Sequence, residues 1–153
     1  MSRNTEYTAQ FPAGEYYIGD LCYVMHAEWS EVCDITFADP FEMVEGDLSL
    51  ADGRRFFIAS TAYGDGTYND NRGNYYPVDS GSIGIIAVKD IAPADLENIE
   101  SGAVHTFDNE FDIYALAGIF EFGGVVIDTA YADSEDDDYD EYDEEYDDVL
   151  EGE

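Results

Sequence analysis

The residues with the most evident chemistry lie at the C-terminus. From Asp133 to Glu153 the sequence DSEDDDYDEYDEEYDDVLEGE carries fourteen carboxylates and no Lys or Arg. In a helix rising ~1.5 Å per residue these charges would fall about 2.3 Å apart, against one per ~1.7 Å of duplex DNA axis. In an extended chain at ~3.3 Å per residue they would fall about 5 Å apart. Either geometry predicts a polyanion with a charge density like that of nucleic acid.

Tyrosines recur among these carboxylates at helical spacing. One face of a helix would collect the side chains at i, i+3, i+7, i+10 and i+11, which are Tyr139, Tyr142, Tyr146, Val149 and Leu150. Like charges at i, i+4 destabilise an isolated helix, so the pattern predicts a segment that orders only on a basic partner. There the rings would contact the partner or imitate stacked bases.

The tail therefore predicts an acidic nucleic-acid mimic that inhibits a basic protein by occupying its DNA- or RNA-binding surface. Its carboxylates would stand for phosphates, and its tyrosines would supply short-range contacts. The predicted partner-binding residues are Asp136, Asp137, Asp138, Tyr139, Asp140, Glu141, Tyr142, Asp143, Glu144, Glu145, Tyr146, Asp147 and Asp148. Two other interpretations stay open, a tail that only raises solubility and an adaptation of the whole surface to high salt.

The charge of the whole chain excludes several partners. The 153 residues carry a formal net charge of −32, and residues 1–132 alone hold 23 acidic and five basic residues. Direct nucleic-acid binding needs cations for the phosphates, and anionic membranes repel such a surface. No signal-peptide pattern or membrane-length apolar run is present. We expect a cytoplasmic protein with reduced thiols, although one disulfide between Cys22 and Cys33 stays possible.

A second group of candidate residues lies in YGDGTYNDNRGNYYPVDSG. Asp65, Asp70 and Asp79 could gather oxygens around Ca²⁺, but the order of an EF-hand loop and its closing Glu are absent. A type I turn accounts for Asp70 and Gly73 without a metal. We predict no metal site and no cofactor, with these three aspartates as weak candidates. The alternative function is an accessory β domain that binds a cation or small ligand through this loop, with a solubilising or salt-adapted acidic surface.

Two sets of residues could in principle support catalysis. They are the carboxylates Asp20, Asp65 and Asp79, and the thiol Cys22 with His26 or His105. Neither set has a defining local motif, and Cys22 sits in an apolar run that favours an inert buried thiol. The cysteines and histidines also lack the spacing of short-loop zinc ligands. We therefore predict that the protein is not an enzyme.

Short strands would position most of these residues. Asp-Gly at residues 52–53, between EMVEGDLSL and RRFFIAST, predicts a hairpin, and a second hairpin joins GTYND to NYYPV. The arginines that open RRFFIAST are expected to pair with nearby carboxylates. SIGIIAV is typical of a strand buried on both faces. AVHTFD, FDIYALAG and IFEFGGVVIDT predict three more strands.

Two brief helices complete the predicted elements. HAEWSEVCDITF places Trp29, Val32 and Cys33 on one helical face and should end before Pro40, and PADLENIE gives one or two turns with Pro93 near its first position. GEYYIGDLCYVM predicts a strand, a turn and an extended segment, while residues 1–10 are expected to fray. Seven or eight strands with two helices indicate a mainly β, β-rich α+β domain, either an antiparallel sandwich or a partly open barrel. The composition changes at Ala132, which predicts a globular domain at 1–132 and an acidic tail at 133–153.

A longer pattern runs through residues 15–90. It has the form G-D-x-C-Y, then S-T-A-Y-G-D-G-x-Y, then V-D-S-G-x-I-G, carried by Gly19, Asp20, Cys22, Tyr23, residues 60–66, Tyr68, residues 78–81, Ile83 and Gly84. This pattern resembles that of a group of small uncharacterised proteins of bacteria and their phages. The resemblance implies a compact β fold and a phage origin. Combined with the mimicry predicted from the tail, a phage origin predicts action in the host cytoplasm against a host nuclease or defence protein. It implies no mechanism, and the acidic tail lies outside it.

Overall fold

A computed structural model of the chain describes residues 6–38 and 44–130. Its strands are β1 (Glu6–Phe11), β2 (Gly14–Gly19), β3 (Gly46–Ser49), β4 (Arg55–Ser60), β5 (Gly66–Asn69), β6 (Tyr75–Val78), β7 (Ser82–Ala87), β8 (Ala103–Phe107), β9 (Phe111–Leu116), β10 (Ile119–Phe122) and β11 (Val125–Asp128). Its helices are α1 (Trp29–Thr36) and the 3-10 segments Leu21–Tyr23, Val88–Asp90 and Pro93–Ser101.

The strands form three antiparallel sheets. One has four strands in the order β1-β9-β10-β11, one has five in the order β3-β4-β7-β2-β8, and β5 pairs with β6 alone. Hydrophobic side chains of the four- and five-stranded sheets share one core, and the helical segments pack on the opposite face of the five-stranded sheet. This arrangement confirms the predicted β-rich antiparallel sandwich with few helices.

The five-stranded sheet is covered on both sides because its central strands alternate between two cores. In β7, Ile83 and Ile85 face the four-stranded sheet, whereas Ile86 faces the helices. In β4, Phe57 and Phe56 divide in the same way. Every residue of β7 is buried, which confirms the prediction for SIGIIAV.

Both predicted hairpins are present. β3 pairs with β4 across the Asp52-Gly53 turn, where Gly53 has a positive φ of 97°. β5 pairs with β6 across Asp70–Gly73, and Gly73 has a φ of 89°. The structure also confirms both predicted helices. PADLENIE forms a 3-10 helix with Pro93 as its first residue, and α1 forms with Val32 buried. Pro40 lies outside the described residues.

Three predictions about elements are wrong. Residues 6–10 do not fray, because β1 pairs along its whole length with β9. The segment after Gly19 is a 3-10 turn, since Asp20 caps it through the backbone N–H of Cys22. IFEFGGVVIDT forms two strands joined at Gly123 and Gly124 instead of one. In total, the described residues contain eleven strands, whereas seven or eight were predicted. None of the helices described in residues 6–38 and 44–130 has the length and apolar character needed to span a membrane.

Candidate functional site

Asp20 is a buried carboxylate that joins two distant segments of the chain. Its Oδ1 accepts hydrogen bonds from the Cys22 N–H at 3.0 Å and from the Ser80 hydroxyl at 2.8 Å. Its Oδ2 accepts from the backbone N–H groups of Asp79 and Ser80, both at 2.7 Å. Asp20 is 0 % exposed, so these four donors compensate for the lost hydration of the carboxylate. The G-D-x-C-Y and V-D-S-G parts of the pattern are thereby held together.

The S-T-A-Y-G-D-G part of the pattern joins the same loops through Thr61. The Thr61 hydroxyl donates to the carbonyl of Gly64 at 2.8 Å, and the Thr61 N–H donates to the carbonyl of Gly81 at 3.0 Å. The Tyr68 hydroxyl also donates to Gly64, at 2.9 Å. All three sequence segments therefore meet at one end of the five-stranded sheet. We call these loops, residues 19–23, 60–66 and 78–82, the motif cluster.

The side chains at the surface of the motif cluster are not activated for nucleophilic chemistry. Burial and a hydrogen bond to Asp20 raise the pKa of the Cys22 thiol to about 12, whereas a nucleophilic cysteine needs a lowered pKa. The Tyr23 hydroxyl donates to Asp79 at 2.6 Å, and this hydrogen bond raises the pKa of Tyr23. The structure thus places a protonated thiol and a neutral phenol beside the carboxylates.

A second buried carboxylate, Asp70, organises the β5–β6 hairpin. Its Oδ1 accepts from the backbone N–H groups of Arg72 and Asn74, and its Oδ2 accepts from the Asn74 amide and, at 2.7 Å, from the Tyr76 hydroxyl. Burial alone would raise the pKa of Asp70, but the hydrogen bonds from Tyr76 and Asn74 lower it to about 2. The side chain is 0 % exposed, so this carboxylate is not accessible to a partner.

His105 belongs to the Asp70 network and not to a thiol–imidazole pair. Its Nε2 lies 3.1 Å from the Tyr76 hydroxyl and 3.9 Å from Asp70 Oδ2. Burial lowers the pKa of His105 despite the nearby carboxylate, which favours a neutral ring at pH 7. Sequence reasoning missed this Asp70–Tyr76–His105 network. The spacing gave no signal for it, because β8 reaches the hairpin only through the tertiary fold.

The carboxylates of the Gly/Asp-rich loop do not converge on a cation. Within residues 6–38 and 44–130, no group of three or more His, Cys, Asp or Glu residues could hold a metal ion. Of the three weak candidates, Asp70 is saturated by its own hairpin and Asp79 accepts from Tyr23. Asp65 lies beside Gly81, where a Cβ would be 4.0 Å from its Oδ1. The structure therefore gives the cation-binding alternative no geometric support.

The chain that leads into the acidic tail is fixed to the motif cluster. Thr129 is fully buried, and its hydroxyl donates to the carbonyl of Gly118 at 2.5 Å and accepts from the Ala62 N–H at 2.9 Å. Gly118 has a φ of 88°, and a Cβ there would lie 2.7 Å from Thr129 Oγ1. The predicted partner-binding residues, Asp136 to Asp148, lie outside the described residues. Their attachment point is nevertheless defined.

No protein-family model, no curated protein and no solved structure matches the chain. The resemblance to small bacterial and phage proteins stays a prediction.

Proposed function

We propose that this protein inhibits a basic nucleic-acid-binding protein, such as a host nuclease or defence protein, by presenting a polyanionic surface in place of DNA or RNA. The observation that carries the proposal is the charge imbalance, with 37 acidic residues against five Lys or Arg. Such an excess destabilises a compact protein by self-repulsion. The excess of negative charge is explained if a partner recognises the negative field.

The arginines at the start of β4 neutralise little negative charge beyond the carboxylates that they contact. Arg54 lies 3.0 Å from Glu28 Oε2 and 2.8 Å from Asp52 Oδ2, and Arg55 lies 2.7 Å from Asp47 Oδ2. These contacts confirm the expectation that both pair with nearby carboxylates. Because they are engaged locally, the remaining negative charge projects into solvent over about one Debye length, ~8 Å at physiological salt.

The attachment of the tail also supports the proposal. Thr129 ties the chain to the loop at Ala62 and to Gly118, and the first carboxylate of the tail follows four residues later at Asp133. The last described residue, Ala130, follows Thr129 directly. Any contact between the body and the partner would therefore raise the effective concentration of the tail at the basic groove.

The decisive experiment captures binding proteins from host lysate with three forms of the chain. They are the full chain, a chain truncated after Ala132, and a chain whose tail Asp and Glu are replaced by Asn and Gln. We expect the full chain to retain a nucleic-acid-binding protein that added DNA displaces, and truncation and neutralisation to abolish that retention. Retention unchanged by neutralisation would show that charge is not what the partner recognises.

Salt dependence provides a second, quantitative test on the captured protein. If the tail replaces six or more phosphates, the affinity should fall by a factor of about 10³ or more between 50 and 200 mM salt. An affinity that changes by less than about tenfold over this range would contradict phosphate mimicry. Isothermal titration calorimetry at four salt concentrations measures the slope.

A further inference from the structure

The outer face of the four-stranded sheet combines negative charge with exposed apolar surface. The strand register brings Glu6 opposite Leu116, Leu116 opposite Ile119, and Tyr114 opposite Glu121. Asp112 lies two residues before Tyr114 and so points to the same side of the sheet. The acidic sheet face is defined by Glu6, Asp112, Tyr114, Leu116, Ile119 and Glu121.

Within the described residues, the sheet itself supplies no cation to this face. The four strands β1, β9, β10 and β11 contain no Lys or Arg, so no cross-strand ion pair can form within the sheet. Antiparallel sheets commonly place opposite charges across neighbouring strands, where each pair adds stability. The sandwich therefore directs carboxylates away from its core on this side, with no Lys or Arg among the side chains of these four strands.

Apolar side chains lie between these carboxylates. Ile119 is 37 % exposed, and Tyr114 and Leu116 are half-buried. An apolar centre with a polar rim is the usual anatomy of a protein interface. The same sheet ends at β11, whose last residue, Asp128, precedes the acidic tail by five residues. The face and the acidic tail are therefore close in the sequence.

We propose that the acidic sheet face is a docking surface for the folded, basic body of the partner whose nucleic-acid-binding cleft receives the tail. This inference rests on the proposed function and adds a second contact to it. The tail would speed encounter through long-range attraction, and the rigid face would slow dissociation through buried apolar contact. Charge complementarity selects a basic partner, because a second copy of this chain would bring like carboxylates together.

Two substitutions of exposed, β-branched residues test the apolar centre. Ile119→Thr removes apolar surface from the face. Val104→Thr also replaces a methyl-bearing branch with a hydroxyl, on β8 of the other sheet, where Val104 is equally 37 % exposed. The probes are barnase, a cationic ribonuclease, and HU, a cationic DNA-binding protein, each titrated with the full-length chain at 50 mM salt. We expect Ile119→Thr to weaken binding by about fivefold or more and Val104→Thr by less than about twofold.

Two charge-matched double variants test the rim. Asp112→Asn with Glu121→Gln neutralises two carboxylates of the face, whereas Asp34→Asn with Glu97→Gln neutralises two exposed carboxylates on the helical side. Both change the net charge by the same amount, so a purely long-range effect would be equal. We expect the face variant to weaken binding by about tenfold and the control variant by about twofold.

The outcomes separate the two proposals. If the full-length chain binds a probe and nucleic acid displaces it, but face and control variants are weakened equally, the acidic sheet face is not a docking surface while polyanion mimicry stands. If the full-length chain binds neither probe, or nucleic acid fails to displace it, the proposed function itself is overturned. A selective loss in both face variants supports the docking surface.

Discussion

The motif cluster and the acidic sheet face use the same chemical group in opposite ways. Asp20, in the motif cluster, is fully buried and accepts four hydrogen bonds from its own chain. Asp112 and Glu121, on the sheet face, point into solvent. A buried carboxylate persists only when donors replace its hydration, whereas an exposed one keeps its water and adds to the surface potential. The position of each acidic residue therefore decides whether its carboxylate stabilises the fold or adds to the surface potential.

This difference gives the motif cluster a structural role, and the proposed function would give the acidic sheet face a role in recognition. The carboxylates of Asp20 and Asp70 are occupied by loop N–H and hydroxyl donors, so a partner or metal would have to displace those donors. On the sheet face, by contrast, Asp112 accepts one exposed hydrogen bond from Gln10 at 3.2 Å, and its carboxylate stays in contact with water. Substitutions in the two regions should consequently separate stability from binding.

The largest loss of stability is expected on substitution of Asp20. Asp20→Asn keeps the shape but offers one acceptor oxygen to four donors, and its amide N–H₂ would face N–H groups. Each buried donor left without a partner costs about 1–3 kcal/mol, so we expect a loss of at least about 3 kcal/mol of unfolding free energy. Urea denaturation at pH 7 measures it.

The matched control for this prediction is Asp65→Asn, an exposed position in the same cluster. Its effect should stay within about 0.5 kcal/mol. An equal loss of unfolding free energy in the two variants would contradict the distinction between buried and exposed carboxylates.

A smaller, pH-dependent effect is expected at Asp70. Its pKa is lowered from 3.8 to about 2 in the folded protein, which corresponds to about 2 kcal/mol of stability. Because the folded pKa is the lower one, this contribution is fully present above about pH 4 and is lost as the pH falls towards 2. The stability difference between the wild type and Asp70→Asn should shrink over that range in urea denaturation.

Asp108→Asn, at an exposed loop position, is the control for the pH experiment. It should show no such pH-dependent difference from the wild type. A difference between the wild type and Asp70→Asn that stays constant from pH 5 to pH 2 would contradict the lowered pKa of Asp70.

The smallest effect on stability is expected on the acidic sheet face. Asp112→Asn with Glu121→Gln should change the unfolding free energy by no more than about 0.5 kcal/mol, and at low salt the change should be stabilising because self-repulsion decreases. Urea denaturation at 20 mM and 500 mM salt checks both the size and the sign. A loss above about 2 kcal/mol would show that these carboxylates, too, are structural.

Much of the fold could be predicted because its signals are local. Asp52-Gly53 and Asp70–Gly73 specify tight turns, and the apolar run from Ser82 to Ala87 indicates a strand buried on both faces. The errors arose where tertiary contacts decide. The polar residues 6–10 become a strand only because β9 offers them a partner, and Leu21–Tyr23 turns because Asp20 caps it.

The charge, the acidic tail, the hairpins and the β-rich class can be read from the amino-acid sequence, because composition, turn residues and hydrophobic periodicity act over short stretches of chain. Which carboxylates are buried depends on contacts between distant segments. Asp20 meets Ser80, and Tyr76 meets His105, across separations of 60 and 29 residues, and no short-range pattern encodes such pairings. The physical reason is that burial removes hydration, so the fold must supply donors to each inward carboxylate, while water suffices for those that face outward.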